Sequence, residues 1–273
     1  MDYKLADNIS FENFLQNLKA KMRLVFHENG NIDQMSINRG FLPATLGEIM
    51  SANPLSVGIP KKFGGRGGGM MENLALLSAT SYESLALSLT FGINLALFLQ
   101  PLSKYGNPEI KSPVFKGFIE KQRMGGLMIT EPDFGSDALN METAFTEEQG
   151  HYHLQGKKHW AGLTGLADYW LLTARKKTQS GKLQRDIDFF LCDANAPGQK
   201  IHVEEVFENL GLYMIPYGRN KIDVRVPSIN KLQAHTTGIK MMLDLLHRSR
   251  MQFPGLGMGF IKRMLDEALA HCK

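Results

Sequence analysis

Tyr152-His-Leu-Gln-Gly-Lys-Lys-His-Trp160 decides how the middle of this chain is read. Tyr152 and Leu154 alternate with His153 and Gln155, the two-residue period of a strand with one buried face. The same grammar recurs on both sides. Residues 127–130 are a short apolar run stopped by Pro132, and 167–175 and 187–192 are compact apolar runs of strand length. Residues 221–226 put Ile222, Val224 and Val226 on one face against Asp223 and Arg225. Gly, Pro and Ser clusters separate these runs, with no helix-length pattern between them. The middle is therefore expected to be an antiparallel β-barrel or sandwich, not a βαβ sheet.

The flanks read as helices. Ser10 is a plausible N-cap, followed by a stripe of Phe11, Phe14, Leu15, Leu18, Met22, Val25 and Phe26 that Gly30 ends. A second helix is expected over 37–51, then a glycine-rich loop at 59–69, a long helical region over 72–105, and a short helix ending near Gln122. After Gly238 one helix spans 239–250 and another follows Pro254. In the latter, Ile261, Met264, Leu265, Ala268, Leu269 and Cys272 form an amphipathic stripe. The fold class expected is α+β multidomain: an N-terminal all-α domain (1–122), a middle β-domain (123–237) and the start of a C-terminal helical bundle (238–273). With no cap after the stripe and few later helices to cover it, the bundle is expected to be incomplete in this chain.

Composition bounds the rest. At 273 residues the chain sits where one hydrophobic core stops growing, so two or three domains are expected. Thirty-one Lys+Arg against 27 Asp+Glu give a formal charge of +4, which suits a phosphate-bearing ligand and is too weak to announce nucleic acid. Two cysteines make no disulfide framework, and the first residues carry no apolar signal, so a cytoplasmic location is expected. Residues 84–103 hold no charge, yet Ser88, Thr90, Asn94, Gln100 and Pro101 argue for a core helix and against a membrane span.

Most other motifs read as structure. The glycines at 64–69 lack the Lys-Ser/Thr of a P-loop and read as a connecting turn. Gly255, Gly257 and Gly259 follow no strand and read as a close helix contact, not a dinucleotide fingerprint. His151 and His153 have no carboxylate or cysteine to complete a metal set, and no metal site is expected. There is no Gly-x-Ser-x-Gly elbow. Lys176, Lys177, Lys182 and Arg185 make a basic hairpin loop that is either solvated or a receiver of nucleotide phosphate. The informative block is Thr130-Glu-Pro-Asp-Phe-Gly-Ser-Asp137. A strand ends in threonine, proline breaks it, and Gly135-Ser136 turns the chain with N–H groups suited to a pyrophosphate or the polar edge of a ring.

That block, with the Tyr-x-Leu-x-Gly-x-Lys-x-Trp pattern at 152–160, resembles the acyl-CoA dehydrogenase family. Ala167-Asp168 before the next strand, the Pro-x-x-x-Gly-Gly loop at 60–65 and Arg250 extend the likeness from about residue 10 to the last. The resemblance implies FAD and the oxidation of an acyl thioester between its α and β carbons, a carboxylate taking the α-proton while hydride leaves to the flavin. It implies that Leu127, Ile129 and Thr130 contact the flavin ring edge, and that Gly135 and Ser136 lie near the flavin phosphates and the thioester chain. Trp160 would stack on the ring, and His247 and Arg250 would lie near the acyl-CoA. The implied partners are an acyl-CoA or acyl-carrier-protein substrate, an electron-accepting flavoprotein, and further copies of the chain in a full-length homodimer or homotetramer.

Two positions depart from the family. Where members carry a threonine hydroxyl near the flavin, this chain has Gly162, whose N–H alone remains. The base is also expected to be missing: most members carry it in the second half of the C-terminal bundle, which this chain does not contain, and some immediately before the arginine, where this chain has Ser249. Glu267 has no evident reason to lie over a flavin, so no catalytic residue is assigned. The resemblance therefore implies the amino-terminal and middle part of an FAD-dependent acyl-CoA dehydrogenase. Two alternatives stay open: an acyl-carrier-protein dehydrogenase, flavin oxidase or monooxygenase of the same fold, and a non-catalytic binding or assembly protein that retains the fold.

Overall fold

The computed structural model describes residues 9–28, 32–233 and 236–272; Gly30, the expected end of the first helix, lies outside them. Helix α1 (Phe11–Arg23) starts at Ser10, whose hydroxyl accepts from the Asn13 N–H, and buries Phe14, Leu18 and Met22. The expected helix over 37–51 forms only as α3 (Pro43–Met50), with a separate short helix, α2 (Ile32–Ile37), before it. Arg39 adopts a left-handed φ of 52°, and Leu42 is extended before Pro43, so the helical path cannot run through. The region expected as one helix over 72–105 also divides. Helix α4 (Met70–Glu83) ends at Ser84, which is extended and accepts from Leu87 N to cap α5 (Leu85–Gly92). The latter runs on through π-helical turns at Ile93–Leu99 into α6 (Gln100–Tyr105). The stretch Leu85–Tyr105 is long and apolar enough to cross a membrane, but most of it is buried inside the protein. Helix α7 (Pro108–Lys121) closes the first helical part.

The glycine-rich loop is a connecting turn. The N–H groups of Gly67 and Gly68 donate to Ile59 O and Val57 O at 2.8 Å, and that of Gly69 to the Glu72 carboxylate at 2.9 Å. Donors spent inside the loop are not aimed at a phosphate.

Seven strands form the middle sheet: β1 (Gly125–Met128), β2 (Ala144–Glu148), β3 (His151–Gly162), β4 (Tyr169–Lys177), β5 (Leu183–Asp193), β6 (Ile201–Val206) and β7 (Tyr217–Pro227). The order is β1-β4-β2-β3-β7-β6, with β5 on the other edge of β4. Most pairings are antiparallel, as expected, but β1 and β2 both meet β4 in parallel, at its two ends. The sequence reading lacked β2 and β6. Their outward residues, such as Glu147, Glu148, Glu204 and Glu205, are exposed, so neither shows a continuous apolar run. One core face carries Phe145, Leu154, Leu172, Phe190, Ile222 and Val224; another joins Tyr169, Leu171 and Phe189 to the helices.

Helices α8 (Gly238–Arg250) and α9 (Phe253–His271) return to the first helical part. A Cβ on Gly255 or Gly259 would run into the backbone of Leu74 or Ser78, so α9 lies on α4 through its glycines. The apolar stripe read from the sequence is left exposed, with Ile261, Met264, Leu265 and Leu269 all on the outside.

Asp244 ties α8 to the central helix. Its carboxylate accepts from Lys104 Nζ at 2.8 Å, Tyr105 Oη at 2.7 Å and Arg248 Nε at 3.0 Å. Burial alone would raise this carboxyl; the three donors outweigh burial and hold it at about 2, below the ordinary 3.8. A depressed carboxyl contributes stability that is present above its unfolded value and lost as pH falls through the folded one. Asp244→Asn is therefore expected to cost about 1–2 kcal/mol at neutral pH. In urea melts the gap to the parent chain should narrow as pH falls from about 4 toward 2; a gap independent of pH would refute this account.

Candidate functional site

The loop at 130–137 is anchored by a buried ion pair. Glu131 and Phe134 exchange backbone hydrogen bonds, which closes the turn that Pro132 begins. The Glu131 carboxylate accepts from the N–H groups of Glu142 and Thr143 at 2.6 and 2.9 Å, and from Lys158 Nζ at 2.9 Å. Lys158 is fully buried and also donates to Ile129 O at 3.1 Å and Thr173 Oγ1 at 3.0 Å. Burial pushes the Lys158 ammonium down to about 8, with Glu131 opposing the fall. For Glu131, burial pulls upward, but Lys158 and the amide donors hold it below its usual range. The pair is charged because each partner has the other, and every polar atom has a use.

Next to Lys158 the strand turns its aromatic residues outward. The His159 N–H donates to Thr130 O at 2.8 Å, fastening the loop to β3. From Lys158 to Ala161 the strand takes three steps against two on β7 (Asn220 to Gly218), which is a β-bulge. Trp160 absorbs the extra residue with a φ of 53°, and its indole is 54% exposed. Phe207, His159 and Tyr217 surround the indole at centroid distances of 4.9, 5.5 and 6.3 Å. In the 130–137 loop that Thr130 fastens to β3, the N–H groups of Gly135 and Ser136 and the hydroxyls of Thr130 and Ser136 have no hydrogen-bond partner among the described residues. The space that a Gly135 side chain would take is open.

A small apolar cavity of about 70 Å³ adjoins this platform through Ile93. Its walls come from Leu89, Gly92, Ile93 and Leu97 on the central helix and from Ser249, Gln252, Phe253 and Leu256 at the α8–α9 junction. Ile93 also reaches β3, where its Cδ1 would lie 2.9 Å from a Cβ on Gly162. A larger groove of about 580 Å³, between α1, α4 and α9, shares no residue with the platform.

Thr130, Trp160 and Gly162 thus meet at one end of β3, with Leu127 and Ile129 partly buried behind them and Gly135 and Ser136 on the exposed loop. His247 and Arg250 are exposed on α8 and do not line the cavity, whereas Ser249 between them does. The Ser249 hydroxyl is already donated to Leu246 O at 2.8 Å. Among the described residues no carboxylate lines this cavity, and Glu267 pairs instead with Arg263. In the basic hairpin Lys176 pairs with Glu147 at 3.2 Å, and Lys182 and Arg185 are exposed. His153 is engaged by Asp223 at 2.6 Å. Phe207 and Tyr217 were invisible to the sequence reading, since neither belongs to a motif and the nine residues between them hide their meeting.

Two domain families match the chain. The acyl-CoA dehydrogenase N-terminal domain covers residues 17–122, and the acyl-CoA dehydrogenase middle domain covers 126–223. The chain belongs to the acyl-CoA dehydrogenase family. Mitochondrial isovaleryl-CoA dehydrogenase of Pongo abelii is 25% identical over 222 residues, covering 80% of this chain and 51% of the relative. L-prolyl-[peptidyl-carrier protein] dehydrogenase of Pseudomonas fluorescens is 25% identical over 226 residues, 81% of this chain and 58% of its own length. Among solved structures, butyryl-CoA dehydrogenase of Megasphaera elsdenii superposes with a TM-score of 0.82 at 19% identity, covering 99% of this chain and 70% of that one. The FAD complex of PigA gives 0.81 at 21% identity, with 99% and 69% covered. The chain spans a little over half the length of the curated relatives it matches. The family fold, a helical part, a curled β-sheet and a C-terminal helical segment, is the fold described above.

Removing one member of the Glu131–Lys158 pair leaves the other buried and uncompensated. Glu131→Leu is expected to destabilise the chain by about 3–5 kcal/mol. Glu131→Leu with Lys158→Met should recover most of that loss, because no lone charge remains. Denaturant unfolding of the two single variants and the double variant reads the coupling, and additive losses would count against it.

Proposed function

We propose that this chain binds FAD on the Trp160 platform and serves the α,β-dehydrogenation of an acyl thioester. The observation that carries the reading is the exposed indole at a strained bulge, beside a loop whose hydrogen-bond donors are unspent. An exposed tryptophan with a left-handed backbone costs stability, and a flat aromatic ligand would return it by stacking. The donor set suits the same ligand: N–H groups and hydroxyls match phosphate oxygens and the carbonyl edge of a flavin. When bound, FAD supplies the hydride acceptor.

The chain's own residues take the following parts. Trp160 covers one face of the ring, with Leu127, Ile129 and Thr130 at its edge and Gly162 next to Trp160. Gly135 and Ser136 meet the phosphates, with Ser136 also near the thioester chain. The cavity walled by Ile93, Leu97 and Phe253 receives the start of the acyl group and excludes water from it. His247 and Arg250, exposed outside the cavity, offer the donors for the carrier end of the substrate. Both coenzyme A and carrier proteins present phosphopantetheine there, and the relatives include enzymes named for each. Among the described residues no carboxylate lines the cavity, so the α-proton is given to none of them. An electron-accepting flavoprotein and self-association belong to the same proposal.

The test uses the chain's two tryptophans. Trp160 is exposed and Trp170 is 2% exposed, so FAD should quench the Trp160 share of the emission in a saturable titration. Trp160→Ala should remove that quenching and weaken FAD binding by about 1 kcal/mol, roughly fivefold. If FAD caused no saturable change in the parent chain, the flavin reading would fall.

A further inference from the structure

The loss of a side chain at residue 162 is compensated from the opposite strand. Gly162 pairs with Tyr217 across β3 and β7, so the two residues point to the same face of the sheet. A Cβ built on Gly162 would lie 3.2 Å from Tyr217 Cε1 and 3.4 Å from Tyr217 Cζ. The outer end of the phenol ring, with Ile93 Cδ1 at 2.9 Å, therefore borders the place where a side chain at 162 would begin, and the hydroxyl stands one bond beyond Cζ. The ring also meets the Trp160 indole nearly edge-on, 62° from parallel. Unlike Tyr105, Tyr169 and Tyr213, whose hydroxyls are engaged, the Tyr217 hydroxyl has no partner among the described residues. Tyr217 is half-buried and its oxygen still reaches solvent, so the hydroxyl is open to a ligand that approaches the Trp160 platform.

We propose that the Tyr217 hydroxyl is the hydrogen-bonding group for the edge of the flavin that rests on Trp160, in place of a side chain at residue 162. The inference rests on the flavin reading of the platform and assigns a group which that reading alone leaves vacant. Glycine at 162 is then room and not a deficit: a threonine there would press on both Ile93 and the tyrosine ring. Burial pushes the Tyr217 phenol up, so it stays protonated and able to donate across the neutral range.

The experiment compares FAD affinity and the visible absorption spectrum of bound FAD in the parent chain and Tyr217→Phe, with circular dichroism confirming the fold. Loss of one hydrogen bond should weaken binding roughly 2- to 12-fold and shift the flavin bands. Gly162→Thr alone should weaken FAD binding by collision, and Tyr217→Ala should weaken it by loss of the hydroxyl. The double variant Gly162→Thr/Tyr217→Ala should bind better than either single variant, because the threonine fills the space that the ring leaves. If the parent chain binds FAD and Tyr217→Phe matches it in affinity and spectrum, the tyrosine assignment is wrong and the flavin reading stands. A double variant no better than Tyr217→Ala also counts against the assignment. If the parent chain fails to bind FAD, both readings fall.

Discussion

The buried contact between Glu131 and Lys158 is the constraint on which the arrangement of the site depends. Two residues after β1 ends, the chain must leave the sheet without exposing its carbonyls to an apolar interior. Lys158 meets that need by taking Ile129 O and the Thr173 hydroxyl, while Glu131 gathers the amides of Glu142 and Thr143. One ion pair thus joins β1, β3, β4 and the approach to β2. A buried charge pair is weak evidence for added stability, because desolvation offsets most of the attraction. Its effect here is on position: with Lys158 directed inward, the bulge that follows can direct Trp160 outward.

Much of this was legible because the two halves of the pair lie inside local patterns. Pro132 and the Gly135-Ser136 turn mark an interrupted strand, and the alternation at 152–158 fixes which residues of β3 face inward. The lysine itself breaks that reading. A charged residue in the buried phase of a strand, at 0% exposure, makes sense only with its partner 27 residues earlier. Periodicity also could not show the breaks at Arg39 and Ser84, where a backbone angle and a single hydroxyl decide what apolar spacing leaves open. Strands β2 and β6 were missed for a related reason. Their outward faces are charged and exposed, so pairing, not burial, defines them.

The site's second half was not legible at all. Trp160 stands in a motif, but its neighbours Phe207 and Tyr217 flank a nine-residue segment, and only the pairing of β3 with β7 brings them to the indole. Residue 162 illustrates the limit. Read along the chain, glycine there is a missing hydroxyl. Read across the sheet, it is the room that a tyrosine ring needs.

The central helix couples the platform to the cavity. Its π-helical turns place Ile93 against Gly162 and, one residue on, Asn94 against β1, where the Asn94 carbonyl accepts from Gly125 N at 2.7 Å and its amide donates to Thr90 O at 2.8 Å. Asn94 is fully buried, so both bonds must form if the helix is to pack here. The widened turns shift the register of side chains along the helix, and insertions of this kind often mark functional positions. Ile93 is shared between the cavity wall and the end of β3, so one side chain is in contact with both. The helix that is long and apolar enough to cross a membrane is thus the element that touches both the cavity and the end of β3.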